Sequence, residues 1–80
     1  MYRILVADDE GIMLEAFKSV ISSTFGDSCI TETAKTGRAV TEKAETFHPD
    51  IVFMDIHMPG INGIQAMREI RKFNTTALFY

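Results

Sequence analysis

Two short stretches of the chain end or run as unbroken apolar blocks, and most of the remainder follows strand or helix periodicity. Tyr2 to Ala7 (YRILVA) ends in a solid apolar run, and Ile51 to Met54 (IVFM) is apolar throughout. Such blocks are expected of strands covered on both faces of a sheet. Ser28 to Ala34 (SCITETA) instead mixes β-branched and polar residues in alternation, which predicts a more exposed strand at an edge. From Ile12 to Phe25, Met13, Phe17, Val20 and Ile21 recur at helical spacing, with Asp8 or Asp9 available as a cap and Gly26 as the end. Thr36 to Phe47 places Val40, Ala44 and Phe47 on one helical stripe, and Pro49 blocks its continuation. Asn62 followed by Gln65 has the form of a capping box, opening a helix with Ile64, Met67 and Ile70 inward. Thr75 to Tyr80 (TTALFY) begins a fourth strand. No repeat, linker or low-complexity segment interrupts this series.

The predicted order is βαβαβαβ. Connections this short imply parallel strands joined by right-handed crossovers. With the second strand at an edge, the second crossover passes back over the first strand. The sheet order is then 2-1-3-4, with the first helix on one face and the other two helices on the opposite face. The chain reverses direction between the first and third strands. In open α/β sheets, ligands bind beyond the carboxyl ends of the strands at such a point.

The 80 residues, 46% apolar and 24% charged, make one ordinary globular domain. The net charge of −3 lacks the clustered basic excess of a nucleic-acid footprint. No apolar run is long enough to span a bilayer, so no membrane partner is expected. The opening MYRILVADDE has no apolar signal core or small-residue cleavage site, which predicts no export and a cytoplasmic location. Cys29, the single cysteine, cannot form an intrachain disulfide and is expected to be a small buried side chain.

Acidic residues change the picture more than any bulk property. Asp8 and Asp9 follow the first strand and Asp55 ends the third. In the order 2-1-3-4 these strands are neighbours, so the three carboxylates converge at the switch point. Two like charges about 4 Å apart repel by roughly 4 kcal/mol at an effective dielectric of 20. Stability alone gives no reason to collect three. Mg²⁺ favours oxygen ligands, taking one or two carboxylates plus water and a phosphate oxygen. The cluster therefore predicts a Mg²⁺ site, with Asp55 positioned to meet a phosphoryl group. An Asp pair before a helix is by itself equally consistent with plain capping, and a lone strand-end Asp with a turn. Their pairing at one point of the sheet favours the site.

The segments "ILVADDE" and "DIVFMDIHMPGINGI" resemble the receiver domain of bacterial two-component response regulators. The resemblance runs through all 80 residues. It implies a flavodoxin-like, doubly wound α/β fold of about two-thirds of a receiver's sheet, residues 1–80 lacking strand 5 and helices 4 and 5. It further implies that Asp55 is the phosphoacceptor, taking phosphate from a sensor histidine kinase. Asp9 and Asp55 would ligate Mg²⁺ through carboxylates, His57 through its backbone carbonyl, and Asp8 largely through water. Met58, Pro59 and Gly60 would shape the loop after the acceptor, and Gly63 would start the next helix. The family's hydroxyl residue after strand 4, the lysine after strand 5 and the switch aromatic are absent from these residues. The His57 side chain is expected on the solvated rim with only its carbonyl in use, and His48 in an exposed turn. "DIHMPGING" is similar in style to receivers attached to AraC-type regulators, which implies a transcription regulator reaching DNA only through an output domain outside this chain.

Two other functions stay open at this point. A metal-dependent phosphatase or phosphotransferase of haloacid dehalogenase type also uses a strand-end Asp nucleophile. That chemistry wants an acid two residues later, where this chain has His57. A non-catalytic interaction fragment is the other. The resemblance implies no turnover enzyme. With one helix alone on its face and an apolar fourth strand unpaired at the edge, the chain is also expected to self-associate through that strand and face.

Overall fold

A computed structural model of the chain describes every residue except Pro59, whose expected part in the loop after Asp55 lies outside the described residues. β1 (Tyr2–Ala7), β2 (Cys29–Ala34), β3 (Ile51–Met54) and β4 (Leu78–Phe79) form one parallel sheet in the order β2-β1-β3-β4. The helices α1 (Gly11–Phe25), α2 (Gly37–Phe47) and α3 (Gly63–Arg71) alternate with them, and a single 3₁₀ turn, Gly26–Ser28, links α1 to β2. Order and direction are those expected from the hydrophobic pattern.

The unbroken run of β1 is explained by cover on both sides. Leu5 and Ala7 join a core with Val52, Val40, Ala44, Phe47, Ala66 and Ile70, under α2 and α3. Ile4 and Val6 point the other way and pack with Leu14 and Ile21 of α1. β2 alternates between half-buried and exposed positions as an edge strand should. Cys29 is half-buried rather than fully enclosed, because it opens that edge strand.

Two helices differ from the expected facing. In α1 the buried residues are Leu14 and Ile21 with Phe17 half-buried, whereas Met13 is 41% and Val20 62% exposed. Of the expected set, Phe17 and Ile21 do face the sheet, and Leu14 takes the inner place expected of Met13 and Val20. In α3 the core contacts come from Gly63, Ala66 and Ile70; Met67 is half-buried and Ile64 is 45% exposed. A small alanine fits the close α2–α3 packing better than a branched side chain.

The ends of the elements follow local chemistry. The Asn62 side chain accepts the Gln65 N–H at 3.0 Å while the Gln65 side chain accepts the Asn62 N–H at 3.2 Å, so the capping box is complete. Thr36 caps α2 through the Ala39 N–H. α1 is different: its N-cap is Glu10, with no side-chain bond, and neither Asp8 nor Asp9 caps it. α2 stops at His48, exposed and left-handed at φ 53°, ahead of Pro49. β4 is shorter than Thr75–Tyr80 because the Asn74 side chain takes the Thr76 and Ala77 N–H groups. Two glycines permit close approach. A Cβ at Gly37 would stand 2.0 Å from the Ile61 carbonyl oxygen, and one at Gly63 would stand 2.7 Å from that of Asp55.

Candidate functional site

β1 and β3 pair in parallel with Ala7 opposite Met54, so the next residue of each strand emerges side by side. The Asp55 N–H donates to the Ala7 carbonyl at 2.9 Å, and the Asp8 N–H to the Ala34 carbonyl at 3.1 Å. The ladder thus continues one residue beyond the strands. It holds both aspartates at the carboxyl end of the sheet, where the connections depart to opposite faces.

There the three expected acids come together. Asp8, Asp9 and Asp55 each offer a carboxylate oxygen within 4.8 Å of the others. Asp8 and Asp55 are half-buried and Asp9 is exposed. Oδ1 of Asp55 accepts the His57 N–H at 3.0 Å, and Oδ1 of Asp8 accepts the Glu10 N–H at 3.0 Å. These short local bonds orient the two carboxyl groups and shape the loops that carry them. His57 is exposed, and its backbone N–H is the group that touches Asp55.

No cation answers this charge directly. Among the described residues the one ion pair is Lys72–Glu69, at the far end of α3. Like charges this close repel by a few kcal/mol at a dielectric suited to partly exposed groups. Three converging carboxylate oxygens with no ammonium or guanidinium partner are a donor set suited to a hard divalent cation such as Mg²⁺. The residues present fit that ion.

The loop beyond Asp55 is tied to the better-covered face. Met58 is buried in the α2–α3 core, and the Gly63 N–H donates to the Ile56 carbonyl at 3.0 Å. Gly63 lets the start of α3 rest against the backbone of Asp55 and Ile56. Gly60 takes a left-handed φ of 78° in the same loop.

Some neighbours of the site were not singled out in the sequence. An open cleft beside Asp8 and Asp55 is walled by Phe17, Phe53 and Tyr80, residues that periodicity presents only as core. Lys35, directly after β2, reaches the first turn of α1. Its place after a strand of a parallel sheet was the available signal.

Comparison with known proteins agrees with this geometry. Residues 4–79 match the family model described as the response regulator receiver domain. The chain is 39% identical over 75 residues to chemotaxis protein CheY of Thermotoga maritima, covering 94% of this chain and 61% of that protein. It is 41% identical over 70 residues to a protein-glutamate methylesterase/protein-glutamine glutaminase of the same organism, covering 88% of this chain but 20% of that protein. The chain therefore spans about a fifth of the methylesterase relatives and a little under two thirds of CheY. Among solved structures, response regulator TrrA of T. maritima in complex with Mg²⁺-BeF superposes with a TM-score of 0.86 at 35% identity, covering 99% of this chain and 66% of that one. TrrA has also been solved in complex with histidine kinase ThkA, with a TM-score of 0.84 to this chain.

Proposed function

Because this chain belongs to the response regulator receiver domain family, matched over residues 4–79, we propose that it is a phosphoacceptor in which Asp55 takes a phosphoryl group from the phosphohistidine of a sensor histidine kinase. The observation that carries this is the convergence of Asp8, Asp9 and Asp55 within 4.8 Å with no cation paired to them. Asp55 supplies the nucleophile. Its Oδ1 is engaged by the His57 N–H, which leaves the second oxygen to form the O–P bond as the donor's P–N bond breaks. The electron pair of the broken bond returns to the donor imidazole, which takes up a proton. Asp9 and Asp55 would hold Mg²⁺ through their carboxylates, His57 through its backbone carbonyl, and Asp8 largely through water. Bound there, the ion supplies positive charge to offset that of the transferring phosphoryl oxygens. Asp8 also fixes the turn into α1 through the Glu10 N–H, so it orients Asp9 as well as adding charge. The group acts once per phosphoryl received rather than as a turnover enzyme.

The kinase partner is supported by the TrrA–ThkA complex, and Mg²⁺ by the TrrA complex with Mg²⁺-BeF. No described helix is long and apolar enough to cross a membrane, which is compatible with work in the cytoplasm. A transcription output would lie outside these 80 residues, and DNA would be met only there. Within them, a groove beside α1 is lined by Ile4, Ile21, Phe25, Cys29, Ile51 and Phe53, and Leu78 and Tyr80 are 53% and 71% exposed. Exposing about 400 Å² of apolar surface costs roughly 10 kcal/mol. A second copy covering this face and β4 would remove that cost, and light scattering at micromolar concentration reads it; a cooperatively melting monomer would reject it.

The test of the chemistry is labelling by a small phosphodonor. Acetyl phosphate with Mg²⁺ is expected to phosphorylate Asp55, weakly in these 80 residues because the family's hydroxyl and lysine are absent from them, with the label located by peptide mass spectrometry and abolished by Asp55→Asn. A label that persists in Asp55→Asn would reject Asp55 as acceptor.

A further inference from the structure

A cation without an ion pair stands at the same end of the sheet as the acids. β2 ends at Ala34, whose carbonyl accepts the Asp8 N–H at 3.1 Å, so the residue after β2 is anchored beside the residue after β1. That residue is Lys35, and it is exposed. Its side chain runs along the first turn of α1, where a Cβ built on Gly11 would lie 3.6 Å from Nζ and 3.9 Å from Cε. The ammonium thereby lies near the loop that carries Asp8 and Asp9. It does not pair with any of the nearby carboxylates: among the described residues the one ion pair within 4.0 Å joins Lys72 to Glu69. Exposed lysines are commonly left without an ion pair, so it is the place of Lys35 in the fold that sets it apart. Lys43, for comparison, donates to the Thr33 carbonyl.

The charge balance gives the unpaired ammonium a task. Asp8, Asp9 and Asp55 carry three negative charges, of which a divalent ion cancels two, and exposed Glu10 at the head of α1 adds another. A phosphodonor is itself a dianion, so its approach to this rim is opposed even with the metal in place. A fixed positive charge at the edge of a cleft raises the encounter rate of an anion without needing contact in the final complex. We propose that Lys35 is a steering residue for the phosphoryl donor, drawing the dianionic group onto Asp55 from the β2 side of the site. This rests on Asp55 being the phosphoacceptor.

The experiment measures the second-order rate of Asp55 labelling by acetyl phosphate with saturating Mg²⁺, at low ionic strength and again near 0.5 M salt. Compared are the wild-type chain, Lys35→Gln, Lys35→Arg and Lys72→Gln. The last makes the same change in net charge at the other end of α3. Lys35→Gln is expected to slow labelling by roughly two- to fivefold at low salt, and the gap to close at high salt where the Debye length falls to a few ångströms. Lys35→Arg and Lys72→Gln are expected to stay near the wild-type rate. Equal rates for Lys35→Gln and wild type at low salt would overturn the proposal. So would a deficit that persists at high salt, which marks structural damage, or an equal deficit in Lys72→Gln. Absence of any Asp55 label in the wild-type chain would instead reject the phosphoacceptor function itself.

Discussion

The two faces of the sheet are built to different standards. Under α2 and α3, Leu5, Ala7, Val52, Val40, Ala44, Ala66 and Ile70 are all buried, and the helices approach through Gly37 and Gly63, where side chains would collide with backbone. Both helices on this face have side-chain N-caps. Under α1 the buried set is Ile4, Val6, Leu14 and Ile21, with Phe17, Ile51 and Phe53 half-covered. α1 itself has no side-chain cap and leaves Ile12 83% and Val20 62% exposed. The difference bears on the site. Asp55 stands on a loop fastened to the closed face through Met58 and Gly63, whereas Asp8 and Asp9 lead into the helix on the open face. Asp55, the proposed acceptor, is held on the firmer half, and its charged neighbours on the looser one. Such a split is physically sensible, because a nucleophile loses rate from small misplacement while metal ligands are drawn into position by the ion.

Four measurements test this contrast, from the largest effect to the smallest. Ile70→Ala, which removes a fully buried side chain beneath α3, is expected to destabilise the fold by about 2–5 kcal/mol in urea melts; a loss near 1 kcal/mol would show that the α2–α3 face is no tighter than the other. Mg²⁺ at 100 times its dissociation constant is expected to add about 2.7 kcal/mol by tying the two halves of the site together. Asp9→Ala should remove that gain, and an equal rise in melting temperature in the variant would sink the ligand assignment. Asn62→Ala, which breaks the capping box, is expected to cost about 1 kcal/mol. An unchanged melting curve would mean that α3 is held by packing alone. Val20→Ser on the exposed side of α1 is expected to change stability by less than about 0.5 kcal/mol. A loss several times larger would return Val20 to the inner stripe and rotate α1 on its sheet.

The haloacid dehalogenase alternative finds no support in this geometry. The position two residues after Asp55 is His57, exposed, and the second and third acids arrive from β1 rather than from the same loop.

How far the chain could be read in advance depended on the range of the forces involved. The strands were legible because two-sided burial requires unbroken apolar runs at residues 4–7 and 51–54, and Ser28 to Ala34 announced itself as an edge by alternation. The capping box at Asn62 and Gln65 was legible because it closes within a single turn. Asp8, Asp9 and Asp55 could be named as one group because short parallel connections leave few strand orders, and 2-1-3-4 brings their carboxylates together. Tertiary packing decided the rest. Phe17 and Ile21 were legible in the spacing of α1, but only the seating of the helix on Ile4 and Val6 selects Leu14 over Met13 and Val20. Asp8 looked like a helix cap, but the bond from Asp8 to the Ala34 carbonyl draws it to the end of the strand and leaves Glu10 to start the helix. The ammonium of Lys35 comes to Gly11 only because β2 and β1 are latched in register. Patterns within a turn or a strand are set by local geometry and burial, and the sequence carries them openly. Which face meets which, and which charge stands beside which, follows from surfaces that exist only once the sheet is assembled.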